Sequence, residues 1–579
     1  MPDNTSSPTG IQPLGQMPLP EIVLALQDDQ IVYLKKPGSE LVMDGKIMRG
    51  PVIDSKGGMQ YVVGERDSSF TEEDPKRLNQ LLHFEELART GQIIATTPEE
   101  IFLNGIGGDR SKLAMFHTCG GEGSSFGVNI ATVSDAISDE YVVLGSWQGF
   151  GSAVKKKGEF ARSLTVLNAA HVRERIGHTA GSPLGMSRIK PGFGSPEETQ
   201  FMENHEGVGI IYGTGGGDLS KNFKRVYDLM REDPGRYGNI PVGVTPKSMD
   251  NDLGIQLADG TTVNSLMLGY LSTAHAMRRH WFDEFQSAAG AGRGVVGFFF
   301  GRGAGWTVLG AIRCDEAYKQ RMREEGILTR DLENKMDGLG SKQIGLVPEE
   351  EVTIQQLVDA VKLVYGRGRD KTVGVACSEG AMIVEVDNEG RRLNRILKQK
   401  EAEGPDALRE WKAKVMAKAQ KGEFEGVIVD EKLGEVFKAR PDVGLEFIND
   451  AVIEPKTDAW GHTHVKMIPK IVDAIVNVLA GIKTNYVEIR YEARTGETIP
   501  SDRALGERTG KLAGEKLMEG KSGLTTVVYK AGEDPLLMDP SRMEATFTPF
   551  DQIRGMTEHD NNLKQLDRGY IRGLGILTA

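Results

Sequence analysis

Residues 207–253 read GVGIIYGTGGGDLSKNFKRVYDLMREDPGRYGNIPVGVTPKSMDNDL, two short apolar runs each followed at once by glycine or acidic residues. Runs too short for a helix and closed by glycine or proline read as buried strands, so 208–212 and 240–244 are predicted strands. After the first, Gly215, Gly216 and Gly217 let the backbone approach a ligand closely. Asp218 and Ser220 then open a helix whose apolar face is Phe223, Val226, Tyr227 and Met230, at i, i+3, i+4 and i+7. Ser220 is the expected N-cap, and the helix N-terminus would present free N–H groups to an anion. After the second run, TPKSMDND delivers a lysine, a hydroxyl and carboxylates to the carboxyl end of a strand, where open α/β sheets bind ligands. Alone, the DND is an ordinary acidic turn. Two adjacent junctions of this kind point instead to phosphoryl transfer: one carboxylate to hold magnesium, another to take a hydroxyl proton, and a lysine to neutralise phosphate.

The same pattern recurs along the chain. An apolar run at 113–117 leads into TCGGEGSSFGVN and a helical face of Ile130, Val133 and Ile137; another at 141–144 leads into GSWQGFGSAV. HTAGSPLGMSR then sets Arg188 just past a Gly/Ser/Pro turn. Further on, 262–278 read as a helix, 294–300 as a strand ending in GRGAGWT, 373–376 as a strand closed by CSEGA, and 486–489 as a strand leading into RYEARTGETIPSDR. Strands alternating with helices imply an α/β protein of parallel sheets with right-handed crossovers. Residues 1–20, rich in Pro, Ser and Gly, are expected to be disordered, and 21–108 to form a small N-terminal extension. The charged stretches near 316–343 and 388–455 read as helical insertions, the second a solvated excursion.

At 579 residues the chain has room for two or three domains. Its 70 basic and 82 acidic residues give a formal charge of −12, which argues against coating nucleic acid by charge. Only three cysteines occur, Cys119, Cys314 and Cys377, far apart and without metal-ligand spacing. There is no apolar leader at the start and no uninterrupted run of membrane-spanning length, so a cytoplasmic protein without a membrane partner is expected. The glycine loops miss the familiar nucleotide patterns. Asp218 stands where G-x-G-x-x-G needs its last glycine, and the nearest Walker-like string, 514–522, falls inside a predicted helix. His462 and His464 lack a third nearby donor and read as structural.

Taken together, these motifs resemble those of the 6-phosphofructokinases, and especially the long pyrophosphate-using members. GGGDLS and TPKSMDNDL resemble that family's paired donor and catalytic motifs, and FGRGAGWT its Met-Gly-Arg segment. TCGGEGSSFGVN resembles its first glycine loop, GSPLGMSR its arginine-bearing loop, CSEGA its Glu-Gly turn and EARTGETIPSDR its Gln-Arg-Gly-Gly loop, all in the right order. The resemblance implies a two-lobed fold with substrates in the cleft between lobes. Residues 109–262 and 502–579 would make the donor-binding lobe, and 263–501 the sugar-phosphate lobe. It implies transfer to the 1-hydroxyl of fructose 6-phosphate, with Asp250 as base, Asp252 supporting it, and Asp218 binding magnesium. Arg302, Arg188 and Lys247 would stabilise the transferred phosphoryl group. Gly120, Gly121, Gly217, Leu219 and Ser220 would line the donor phosphates, and Ser248 and Glu379 would contact the sugar. Arg293, Arg494 and Arg503 would hold the 6-phosphate, the first two by reaching into a neighbouring subunit, which implies a homo-oligomer, at least a dimer. In ATP users the positions matching Leu219 and Lys247 are typically both glycine, and in pyrophosphate users aspartate and lysine. Lys247 therefore points to pyrophosphate, and Leu219 is expected to obstruct an α-phosphate. The alternatives are an ATP-dependent enzyme, another sugar-phosphate acceptor, or a regulatory member without turnover.

Overall fold

In a computed structural model, the described residues are 93–96, 98–105, 109–121, 123–138, 140–167, 181–187, 189, 194–367, 371–453, 467–489, 491–557 and 563–578, with short strands between Ile31 and Arg66. The expected disorder at 1–20, Arg188, His462 and His464 lie outside them. Of the N-terminal extension, Ile31–Leu34 pairs with Pro51–Ile53 and Ile93–Thr96, and a separate small sheet contains Lys46–Ile47.

The body is built on two sheets. β1 (Leu113–Cys119), β2 (Val142–Ser146), β3 (Leu164–Val166), β4 (Ile210–Gly215), β5 (Val242–Pro246), β6 (Gly254–Leu257) and β7 (Thr262–Leu266) belong to the first. β8 (Gly294–Phe299), β9 (Gln343–Leu346), β10 (Gly374–Ser378) and β11 (Thr484–Glu488) make the second, in the order β9-β10-β8-β11, all parallel. The chain then returns to the first sheet with β12 (Gly523–Tyr529), β13 (Thr546–Pro549) and β14 (Ile553–Thr557). The first sheet runs β3-β2-β1-β4-β5-β12-β7-β6-β14, with β13 also on β12.

β1, β2, β4 and β5 are buried along their whole lengths. Apolar strands covered on both faces are the signature of parallel pairing under helices, and β2, β1, β4, β5 and β12 are indeed mutually parallel. Their flanks depart from the expected all-parallel arrangement. β3, β6, β7, β13 and β14 pair antiparallel, so the first sheet is mixed. Part of the predicted 262–278 helix is one of these strands. Thr262–Leu266 joins β12 as β7, and the helix starts at Tyr270, after Gly269 turns the chain with φ 83°.

Five helices matter for the site: α1 (Phe126–Ile137), α2 (Gly217–Glu232), α3 (Tyr270–Gly290), α4 (Val384–Glu403) and α5 (Pro500–Met518). α5 lies against α1 on a seam of small residues. A Cβ on Gly510 would sit 2.9 Å from Thr132 Cβ, and one on Gly514 2.4 Å from Ala136 Cβ. Gly514 is therefore a helix-packing glycine, in keeping with the dismissal of the Walker-like string. The stretch 388–455 is not the solvated excursion expected. Leu393, Val415, Phe437 and Phe447 from its helices are buried in one cluster with Val375 and Val296 of the second sheet. Its charges sit on outer faces while one apolar stripe per helix turns inward. Behind β1, two fully buried histidines meet, His117 Nε2 lying 2.8 Å from His205 Nε2. His205 Nδ1 donates to the Phe201 carbonyl (2.6 Å) and His117 Nδ1 lies 2.7 Å from Ser146 Oγ, so each nitrogen has a partner with both rings neutral.

Candidate active site

β4 and β5 run side by side with Gly215 opposite Pro246, so both junctions singled out in the sequence open at the same sheet edge. Lys247 N–H donates to the Gly215 carbonyl at 2.7 Å, tying the junctions together. At the first, α2 starts four residues earlier than expected. Its N-cap is Gly216, with no side-chain cap, because the amides of Leu219 and Ser220 both bond to the Gly216 carbonyl. Asp218 is thereby exposed on the first turn, while Leu219 turns inward into the core beneath the sheet, fully buried with Phe223 and Val226. Ser220 is buried as well, its hydroxyl without a protein partner. The Leu219 and Ser220 side chains are thus both turned into the core.

The second junction has no helix to order it. Its order comes from Asn251, fully buried with φ 49°, a left-handed conformation that asparagine tolerates. The Asn251 side chain donates from Nδ2 to Tyr529 Oη on β12 (3.0 Å) and accepts at Oδ1 from the Met267 amide (3.0 Å). Ser248 Oγ donates to Asp252 Oδ1 (2.7 Å) and accepts from the Asp250 amide (3.1 Å). Pinned on both sides, the turn aims Asp250 into the cleft, where its Oδ1 is buried without a hydrogen-bond partner. Burial, then the charges of Asp252 and Glu379, push the Asp250 carboxyl up to about 8, against the opposing pull of Arg494 and Lys247.

Glu379 and Arg302 come from the carboxyl edge of the second sheet. Arg302 Nε donates to Glu379 Oε1 at 3.2 Å, and the Glu379 amide donates to the Phe299 carbonyl at 2.9 Å. The turn after β10 presses so closely on Arg302 that a Cβ on Gly380 would lie 2.0 Å from the Arg302 carbonyl oxygen. Glycine is therefore required there for the two strand ends to interlock. Across the cleft, the first glycine loop receives two cations. Lys247 Nζ donates to the Gly121 carbonyl (2.5 Å) and lies 5.1 Å from the Phe126 ring centroid. A Cβ on Gly123 would sit 2.0 Å from Lys247 Cε, and one on Gly121 2.1 Å from Arg494 Nη1. Arg494 also stacks over Phe300 at 3.9 Å. Gly120, with φ 108°, holds the loop to the 181–187 turn by donating its N–H to the Ser187 carbonyl (3.0 Å).

One cleft thus gathers Lys247, Ser248, Asp250, Asp252, Arg302, Glu379, Arg494, Gly120 and Gly121, with Gly217 and Asp218 at the adjoining junction. Arg503 lies in the first turn of α5, next to Asp502, which is buried and accepts the amides of Gly269 and Ser272. Arg293 stands apart. It precedes β8 and so lies at the opposite edge of the second sheet from Arg302, about 20 Å away at ~3.3 Å per strand residue, where its Nη1 donates to Asn485. Arg494, expected in a neighbour's site, lies in its own chain's cleft. Asn251 and Tyr529 were not foreseen as part of the site. The signal for Asn251 was present, a polar residue between two acids where a turn needs positive φ; Tyr529, some 280 residues further on, gave none.

No protein-family model and no curated protein matches this sequence. Among solved structures, the chain is similar to a pyrophosphate-dependent phosphofructokinase from Marinobacter aquaeolei, at TM-score 0.48 and 14% identity over 81% of this chain and 92% of that one. It is similar in the same way to the pyrophosphate-dependent phosphofructokinase of Nitrosospira multiformis (TM-score 0.48, 16% identity, 81% and 93%). Phosphofructokinase from Saccharomyces cerevisiae aligns over 76% of this chain and 44% of its own, at TM-score 0.44 and 14% identity. No helix among the described residues is long and apolar enough to cross a membrane.

Proposed function

We propose that this chain is a 6-phosphofructokinase-like phosphotransferase, moving a phosphoryl group between magnesium pyrophosphate and the 1-hydroxyl of fructose 6-phosphate. The observation that carries the reading is Asp250, a buried carboxylate oxygen without a partner, within reach of the charges of Lys247, Arg494 and Glu379, the last paired with Arg302, where the carboxyl edges of two sheets meet. A loose phosphoryl transition state needs positioning and charge neutralisation more than covalent chemistry, and this cleft offers both. Asp250 accepts the hydroxyl proton as the oxygen attacks. Asp252, through Ser248, keeps the turn in register. Lys247, Arg302 and Arg494 balance charge on the transferred group. Glu379 and Ser248 orient the sugar, and Arg503 binds its distal phosphate. Arg188 is assigned beside Arg302 by resemblance alone.

Magnesium fits this donor set. The described residues contain no cluster of three or more metal-ligating side chains, but magnesium is commonly held by one or two carboxylates together with substrate phosphates and water. Exposed Asp218 is the residue that would hold it, and the ion would neutralise donor phosphate charge. Pyrophosphate is favoured by Lys247, whose chain fills the space over Gly123 and brings a compact cation to the glycine loop. Arg293, remote from its own cleft, is assigned to that of a second copy, which makes the active species at least a dimer; sedimentation of a fully active monomer would remove this assignment.

The deciding experiment is a steady-state assay with fructose 6-phosphate and magnesium, comparing pyrophosphate, ATP and ADP as donors. Turnover with pyrophosphate is expected. Turnover with ATP alone would overturn the donor assignment, and activity with none of them would favour a regulatory member without turnover.

A further inference from the structure

We propose that α4 carries a second anion site, outside the cleft, for a small multivalent anion bearing phosphate or carboxylate groups. α4 begins five residues beyond Glu379, and one of its faces lines a cavity of about 620 Å3, within the range of small-molecule pockets. Four cations, Arg391, Arg392, Arg395 and Lys398, line it together with the amides Asn388 and Asn394 and a single carboxylate, Glu389.

Two of the four cations are offset within the protein, Arg392 by Glu389 and Arg391 by Asp387, which leaves Arg395 and Lys398 as the net charge of the site. Glu389 Oε1 accepts the amides of Val429 (3.0 Å) and Asp430 (2.9 Å), and Oε2 accepts from Arg392 Nε at 2.8 Å. Arg392 also donates to the Val427 carbonyl, so the wall formed by Val429 is fastened to the helix from both sides. This half of the cavity is built before any ligand arrives. Arg391 is held by Asp387 at 2.6 Å. Arg395 and Lys398 are exposed, and no described carboxylate lies within ion-pair distance of either. From Arg391 to Lys398 the stripe spans about 10 Å at ~1.5 Å per residue, the reach of an anion with two or more charged groups. Guanidinium forks beside neutral amides suit planar or tetrahedral oxyanions.

The test is calorimetric titration at about 0.15 M salt, where surface attraction is largely screened. Inorganic triphosphate and, separately, citrate are titrated into a Lys247→Ala/Arg494→Ala chain, which weakens binding in the cleft, and into the same chain also carrying Arg395→Glu/Lys398→Glu. Saturable binding weakened about tenfold or more by the charge reversal is expected. A preference between triphosphate and citrate assigns the natural ligand to phosphates or to carboxylates. No saturable binding at millimolar anion, or binding untouched by the reversal, overturns the proposal. Lys398→Ala, on an exposed residue, supplies the milder variant should the double reversal disturb folding. Because no turnover is measured, failure here leaves the reading of the cleft as it stands, and failure of that reading leaves this one.

Discussion

The two junctions at the ends of β4 and β5 look alike in sequence and behave differently in space. At the first, a helix takes over at once. Its amphipathic pattern sorts the residues, sending Leu219 and Ser220 into the core and leaving Asp218 at the surface. At the second no helix forms, and the turn is held by side-chain bonds from Asn251 to Tyr529 and to the Met267 amide. The helical junction delivers a helix N-terminus and an accessible carboxylate, suited to phosphate and metal. The irregular one delivers a buried carboxylate of altered acidity, suited to moving a proton. Local periodicity decides which side chains a loop can present, and a buried non-local anchor is needed where periodicity is absent.

The largest effect should come from Asp250→Asn. Removal of a general base is expected to lower kcat by about 10²–10⁴-fold with the KM for the sugar phosphate little changed. The pH profile sharpens this test. With its carboxyl at about 8, the native enzyme should gain kcat/KM as pH rises toward 8, and the variant should lose that limb. The sign for stability is opposite. The folded chain holds a proton on Asp250 that the unfolded chain releases near 3.8, so native stability falls as pH rises from about 4 to 8. Asp250→Asn should therefore melt higher than the native protein at pH 9. Equal turnover in the two proteins would remove Asp250 from the mechanism.

Leu219→Ala comes next and probes the first junction. Truncating a fully buried leucine should cost about 2–5 kcal/mol in chemical denaturation while leaving the ratio of pyrophosphate to ATP turnover unchanged. A change of donor preference with native stability would put Leu219 back in the site. Asn251→Ala should cost about 1–3 kcal/mol, from two lost hydrogen bonds and from the left-handed backbone, and should also lower kcat. Loss of stability with kcat retained would mean the turn keeps its shape without its anchor. The smallest effect is expected at Gly121→Ala. The new methyl meets only the far end of Arg494, which can swing away, so melting should barely move while kcat/KM for the donor falls by several-fold. Gly380→Ala is the control, since its methyl meets Arg302 backbone and should destabilise the fold.

Much of this was legible in the sequence because it is local. The buried parallel strands, their order of appearance, the glycine loops and the acidic turn follow from short apolar runs and the residues that end them. What escaped depends on partners far along the chain. Residues 262–266 read as the start of a helix because the pairing of β7 with β12 leaves no mark there, and the mixed edge of the first sheet is hidden for the same reason. The 388–455 stretch reads as solvated because charged residues run through its whole length, as many as the apolar ones. Yet the apolar stripes of its helices bury Leu393, Phe437 and Phe447 against the second sheet. The start of α2, four residues earlier than the sequence pattern gives it, sets Leu219 inside the first turn with its side chain in the core.

The return of β12 to the side of β5 has a kinetic consequence. During synthesis the β5 edge emerges nearly three hundred residues before its partner, and through that interval the first sheet exposes unpaired backbone while the whole second sheet is made. Closing so long a loop is slow, and an open edge of this kind is a template for wrong pairing. The second sheet, contiguous between residues 294 and 488, meets no such delay and can form first. In refolding, protection of β8 and β10 amides should therefore precede that of β5, and the Asp250 turn, which borrows its anchor from Tyr529, should be among the last parts of the molecule to find its shape.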